Sequence, residues 1–154
     1  MKVIKPPHSI SENHQRKNAV FLAGSIEMGK AEDWQQKLEI YFEQLDDYTV
    51  LNPRRDDWDS SWKQSIDNPL FKEQVSWELE GLEKATAIIM YLSPETKAPI
   101  SLLELGLHAD SKKMLVCCPQ GYWRKGNVEI VCERYSIPFY EQMDQLLKHH
   151  FPIA

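Results

Sequence analysis

The sequence predicts an α/β fold. About five parallel strands, in the order 2-1-3-4-5, form a doubly wound sheet with helices on both faces. Two observations carry this. Short apolar runs alternate with longer stretches whose apolar residues return every three or four positions. The central runs, 19–26 and 86–92, are nearly continuous rather than alternating, as in strands buried on both faces. Right-handed crossovers between such strands make the doubly wound order the expected topology.

Each element follows from local signals. Residues 1–17 are polar and carry Pro6-Pro7, so they read as an N-terminal arm, with one domain over 18–154. Ala19 to Ile26 is a buried strand ending in a Gly24-Ser25 turn. Trp34, Leu38, Tyr41, Phe42 and Leu45 mark an amphipathic helix from about Lys30 to Leu45. Tyr48 to Leu51 is the second strand, and Pro53 stops it. Asn68-Pro69 is a helix start, with Asn as cap and Pro in the first turn. That helix runs to about Lys84, with Phe71, Val75, Leu79 and Leu82 as its expected inward stripe. Thr86 to Leu92 is a strand, Pro99 to Ala109 a helix, and Lys113 to Cys118 a strand. Asn127 is the expected cap of a helix through Arg134. Ile137 to Tyr140 is a short strand, and Glu141 to His149 the last helix.

Composition narrows the function. The chain has 154 residues, 42% hydrophobic and 27% charged, which fits one soluble globular domain. A net charge of −5 disfavours nucleic acid, which needs a basic face. No apolar run approaches the roughly 20 residues of a membrane helix, and the start lacks the apolar core of a signal peptide. The expected location is the cytoplasm. Cys117, Cys118 and Cys132 form no CxxC pair and read as buried reduced thiols. His149 and His150 read as solvated, so no metal site is expected.

In a doubly wound sheet ligands bind beyond the carboxyl ends of the strands. That directs attention to loops 24–29, 52–68, 93–101 and 119–127. Gly24-Ser25 is either a structural turn or a turn whose backbone approaches a ligand. It belongs to neither a GxGxxG nor a GK[ST] motif. Glu104 lies in the first turns of its helix among apolar neighbours. The helix end would stabilise its charge, and desolvation would raise its pKa. Ser101-x-x-Glu104 also fits a capping box. Glu78 sits at the edge of its helix's inward stripe, at a pocket or along a rim. Two such acids at one pocket suit glycosidic cleavage, one as nucleophile and one serving the leaving group. Arg54 and Arg55 offer forked hydrogen bonds to an anion, or salt bridges to Asp56, Asp57 and Asp59. Trp123 offers a face on which a base could stack or a surface aromatic packing over the sheet. Trp58 and Trp62 could line a lid.

Several segments together resemble the nucleoside 2-deoxyribosyltransferase family, in the branch described as deoxyribosyltransferase-like. They are FLAGSI at 21–26, NPRRDDW at 52–58, WELEGLEKATAIIMYL at 77–92, LLELGLHA at 102–109 and PQGYWRKGNVEIVCERY at 119–135. The resemblance implies a flavodoxin-like, Rossmann-like sandwich that uses no cofactor and serves nucleotide salvage. It implies Glu104 as the nucleophile on the anomeric carbon and Glu78, in place of an aspartate, at the nucleobase. Gly24 and Ser25 match the glycine-rich first turn. Asn127 matches an asparagine that a neighbouring subunit lends to the sugar, so a homo-oligomer with shared sites is implied. Three positions depart from the pattern. Phe21 stands where a tyrosine often orients the nucleophile. Glu27 stands where related hydrolases hold a phosphate with arginine. Ala98 replaces an aspartate or serine, leaving Ser101 to contribute.

The expected function is therefore cleavage or transfer of the N-glycosidic bond of a nucleoside through a glycosyl-Glu104 intermediate. Phe21 and Ala98 motivate an alternative, a nucleoside or nucleotide sensor without turnover. Arg54 and Arg55 motivate another, a hydrolase on a phosphorylated ribosyl compound.

Overall fold

The computed structural model describes residues 1–13, 18–26 and 32–154. The strands are β1 (Lys2–Ile4), β2 (Asn18–Gly24), β3 (Tyr48–Leu51), β4 (Ala87–Tyr91), β5 (Met114–Cys117) and β6 (Phe139–Tyr140). The helices are α1 (Ile10–Asn13), α2 (Trp34–Phe42), α3 (Pro69–Lys84), α4 (Pro99–His108), α5 (Lys125–Arg134) and α6 (Met143–His150). The six strands form one all-parallel sheet in the order β1-β3-β2-β4-β5-β6, flanked by helices. Strands β2 to β6 reproduce the expected 2-1-3-4-5 order.

The sixth strand corrects the reading of residues 1–17 as an arm. Lys2, Val3 and Ile4 pair in parallel with Thr49, Val50 and Leu51, and Ile4 is buried. Three residues are too short to show a period, so the strand left no signal.

By chain contacts the protein divides into two compact units, residues 1–21 with 34–86 and residues 22–33 with 87–154. In the first, Val20, Phe21, Val50 and Leu51 of the sheet are buried, as are Trp34, Leu38 and Phe42 of α2. Helix α3 starts where expected: the Asn68 side chain accepts from the N–H groups of Leu70 (3.1 Å) and Phe71 (3.3 Å), with Pro69 in the first turn. Its inward face differs from expectation. Gln74, Trp77, Gly81 and Leu82 are buried, whereas Leu79 is exposed. Spacings of three and four put Glu78 within this stripe rather than at its edge. Helix α2 is shorter than the expected 30–45; residues 30 and 31 lie outside the described residues.

In the second unit the core gathers Leu22, Ile88, Ile89, Met90, Val116 and Cys117 of the sheet with Val128 of α5 and Leu146 of α6. Helix α4 leaves Ile100, Leu103 and Leu107 exposed. It begins at Pro99, after Ala98 in a left-handed conformation (φ 46°) that supplies no side-chain cap. Ser101 is thus the third helical residue and buried, so the capping box with Glu104 does not form. Helix α5 begins at Lys125, two residues before Asn127, which is exposed inside the helix instead of capping it. His150 is also more than a solvated tail residue: its Nε2 lies 2.9 Å from the Tyr140 hydroxyl.

Candidate functional site

In the first unit the chemistry gathers after β3, in the segment Asn52–Asp57 and the helices that touch it. Asn52 is buried; its Nδ2 donates to Glu39 Oε1 (2.6 Å) and its Oδ1 accepts from the Arg54 N–H (2.9 Å). The Arg54 guanidinium donates through Nε (3.2 Å) and Nη2 (3.1 Å) to Gln35 Oε1. Arg55 behaves differently. It donates to Asp57 Oδ1 (2.6 Å) and to Glu73 (3.2 Å), and its guanidinium lies 4.9 Å from the centre of the Trp62 ring. The Asp57 and Glu73 carboxylates raise its pKa. For Arg55 the salt-bridge alternative is the one observed, and a free anion site is not.

Glu78 is half-buried on the inward face of α3. Gln74, one turn earlier, donates from Nε2 to Glu78 Oε1 (2.8 Å) and to the Pro53 carbonyl (3.0 Å). Burial pushes the Glu78 carboxyl above its ordinary value, and the amide bond from Gln74 opposes this only in part. The group is therefore suited to holding a proton for delivery.

Sequence reasoning missed Gln35 and Gln74. Both are buried, 0% and 4% exposed, and each leaves one polar atom, Gln35 Nε2 and Gln74 Oε1, with no hydrogen-bond partner among the described residues. Their spacing alone does not reveal that burial. Gln35 stands three before Leu38, and Gln74 three before Trp77, on the apolar stripes of their helices.

In the second unit, Gly24 and Ser25 join the end of β2 to the loop after β4. Gly24 has φ +133°, and a Cβ there would sit 2.1 Å from the Tyr91 carbonyl oxygen, so no side chain fits. Ser25 is fully buried. Its N–H donates to the Tyr91 carbonyl (2.9 Å), and its Oγ accepts from the Ser93 N–H (2.9 Å) and lies 2.6 Å from Thr96 Oγ1. Thr96 in turn donates to the Ser93 carbonyl (3.1 Å). The Ser25 hydroxyl thus closes a ring that locks the turn to the loop, favouring its structural reading.

Glu104 is half-buried, the sixth residue of α4. Helix-end stabilisation concentrates in the first turn, so it acts on Glu104 less than the sequence suggested. Its neighbours Leu103 and Leu107 are exposed, and Leu105 is buried. Beside it, Leu102, Leu105 and Gly106 line a groove of about 350 Å³ with Trp123, Arg124, Asn127, Val128 and Val131. The structure thus brings Trp123 and Asn127 together against α4. The Trp123 indole donates to the Lys97 carbonyl (3.0 Å), and the Arg124 guanidinium lies 4.4 Å from its ring centre. A base stacking on that face would have to displace Arg124.

Phe21, at the position of the absent hydroxyl, is buried in the first unit. Its ring is 6.1 Å from that of Trp77, and a Cβ on Gly81 would come within 2.6 Å of it. Ala98 is buried and bears the left-handed turn into α4. Glu27 lies outside the described residues. No helix among the described residues is long and apolar enough to cross a membrane.

Comparison with known proteins places these residues in a family. Residues 17–122 match the family described as nucleoside 2-deoxyribosyltransferase like. The matched span includes Gly24, Ser25, Arg54, Arg55, Glu78, Ser101 and Glu104, and stops before Trp123 and Asn127. No curated protein matches the chain. With more than half of its residues matched, the chain belongs to the nucleoside 2-deoxyribosyltransferase-like family.

Proposed function

We propose that this protein cleaves or transfers the N-glycosidic bond of a nucleoside, a deoxynucleoside first of all, through a covalent glycosyl-enzyme intermediate. A Glu104 carboxylate oxygen attacks C1′, the C1′–N bond breaks, and its electron pair leaves with the base. Glu78 supplies the proton that the departing base takes up. A second base or water then releases the sugar from Glu104. The observation that carries this reading is the Glu78 carboxyl, raised by burial and held in one orientation by Gln74. Family membership supports the substrate class. Ser25 and Gly24 serve by fixing the turn after β2, and Ser101 by its buried place on α4.

We also read the protein as a homo-oligomer. Ile100, Leu103 and Leu107 expose an apolar stripe on α4 of the sort that a second copy covers, and Asn127 stands in the adjoining groove. The compartment is the reducing cytoplasm. Cys117, Cys118 and Cys132 are free and buried, and burial pushes their thiols up to about 12, 11 and 12.

Mass spectrometry after incubation with 2-fluoro-2-deoxynucleosides tests the glycosyl step. The expected result is a single sugar adduct that disappears in Glu104→Ala, with turnover of ordinary nucleosides lowered by at least about 10³-fold. An adduct that persists in Glu104→Ala, or none across a panel of bases, overturns it. Phe21 favours a second reading, a nucleoside sensor, because its ring packs on Trp77 and brings no hydroxyl to orient a nucleophile. Saturable calorimetric binding without base release on chromatography would establish that reading instead.

A further inference from the structure

In the second unit, α4 starts in a conformation that its own residues do not favour. Ala98 is left-handed (φ 46°, ψ 55°), which crowds a residue with a β-carbon. No side chain caps the helix, and Pro99 brings no N–H to its first turn. Such a turn persists only where its surroundings over-determine it. What does so is the carbonyl just before it. The Lys97 oxygen, on the peptide group that enters Ala98, accepts from the Tyr122 hydroxyl (2.6 Å) and from the Trp123 indole N–H (3.0 Å). Two donors occupy both of its lone pairs and fix the plane of that peptide. The clamp is itself anchored. Tyr122 is buried, and its carbonyl accepts from the Lys125 N–H at the start of α5 (3.1 Å). The Trp123 ring centre lies 5.6 Å from Lys97 Nζ and 4.4 Å from the Arg124 guanidinium. Earlier in the same loop, Thr96 meets Ser25 and Ser93, so the aromatic clamp fixes the half that Ser25 does not.

We propose that Tyr122 and Trp123 are positioning residues, whose paired donors on the Lys97 carbonyl hold Ala98 left-handed and thereby set where α4 carries Glu104. The role of Glu104 rests on the function proposed above. From Pro99 to Glu104 the helix rises roughly 7.5 Å, so a change of direction at Ala98 displaces the carboxylate as a lever does. A shift of about 1 Å at a reacting group costs on the order of 10²-fold in rate. Losing one of the two donors leaves the carbonyl its other partner, so the effect of a single substitution is smaller and local.

Hydrogen exchange read by mass spectrometry tests the clamp without needing turnover. Peptides covering 98–105 are compared with peptides covering 125–135 in the wild type, Tyr122→Phe and Trp123→Phe. Each variant is expected to exchange roughly fivefold to tenfold faster over 98–105, with 125–135 within about twofold. A second readout separates positioning from a merely structural role. With 2-fluoro-2-deoxynucleosides, the maximal rate of adduct formation on Glu104 is expected to fall roughly tenfold in Tyr122→Phe, with the concentration at half-maximal rate within about twofold. Unchanged exchange over 98–105 in both variants overturns the proposal. So does an equal rise over both sets of peptides, which marks ordinary destabilisation. Faster local exchange with an undiminished adduct rate overturns the positioning of Glu104. No adduct in the wild type removes the glycosyl reading instead, and the exchange result still decides the clamp. Should one variant fail to fold, the other decides by the same peptides.

Discussion

Two sets of buried polar side chains, one in each unit, differ in how completely they are paired. Ser25, Ser93 and Thr96 are all buried, and the Ser25 and Thr96 hydroxyls and the Ser93 main chain meet one another within 3.1 Å. Gln35, Thr49 and Gln74 are buried to the same degree, yet Gln35 Nε2, Thr49 Oγ1 and Gln74 Oε1 find no partner among the described residues. A closed network stabilises the native state and fixes one geometry. An open one weakens the native state until something fills it, which is how a scaffold and a binding surface differ at equal burial. The family's first turn therefore reads as scaffold here, whereas the buried amides beside the segment after β3 leave their hydrogen bonding open.

The largest break in this contrast is at Gly24. In Gly24→Ala the new Cβ would meet main-chain atoms of Tyr91 at 2.1 to 2.9 Å, in a conformation (φ +133°) that alanine disfavours. Since the clash is with backbone, β2 or β4 must shift. We expect a loss above about 4 kcal/mol, seen as insoluble protein or a collapsed urea midpoint. A soluble variant with an unchanged midpoint would show that the turn is looser than its geometry says. Ser25→Ala is milder. It leaves the Ser93 N–H buried without its acceptor and removes the Thr96 partner. Roughly 1–3 kcal/mol should be lost, or about 2–10 °C in Tm by calorimetry. A neutral result would mean that the ring is not closed in solution.

The same contrast explains what could be read from the residues beforehand. Apolar runs located five of the six strands, since a strand buried on both faces must be apolar throughout. Asn68-Pro69 located the start of α3 because cap chemistry is local. The strand Lys2–Ile4 was hidden because pairing with Thr49–Leu51 is a tertiary event. Ser101 and Asn127 were misplaced by a turn at the most, in both cases because a helix began without a side-chain cap. The family's segments are what single out Glu104 and Glu78, the residues of the proposed site. Gln35 and Gln74 were not legible, since a glutamine on an apolar stripe looks like any surface glutamine until its burial is known. Arg54 and Arg55 show the same gap. Adjacent and alike in the sequence, they turn to different partners, Arg54 to Gln35 and Arg55 to Asp57 and Glu73.

Glu78 gives the smallest expected effect and the sharpest use of the comparison, because it acts in one pH range only. Burial raises its pKa above the ordinary value of 4.5, so the folded protein binds this proton more tightly than the unfolded chain does. Stability from the neutral carboxyl is fully present below 4.5 and is lost as pH rises from there through the folded value, after which the loss is constant. Glu78→Gln removes the titration but keeps a carbonyl oxygen to accept from Gln74 Nε2. Urea unfolding should therefore give equal stabilities for wild type and variant at pH 4. At pH 8 the variant should be more stable, by about 1.4 kcal/mol for each pH unit by which folding raises the group. A stability difference that does not change with pH would mean that Glu78 is solvated in the folded state. The open cluster would then lack the proton that distinguishes it from the closed one.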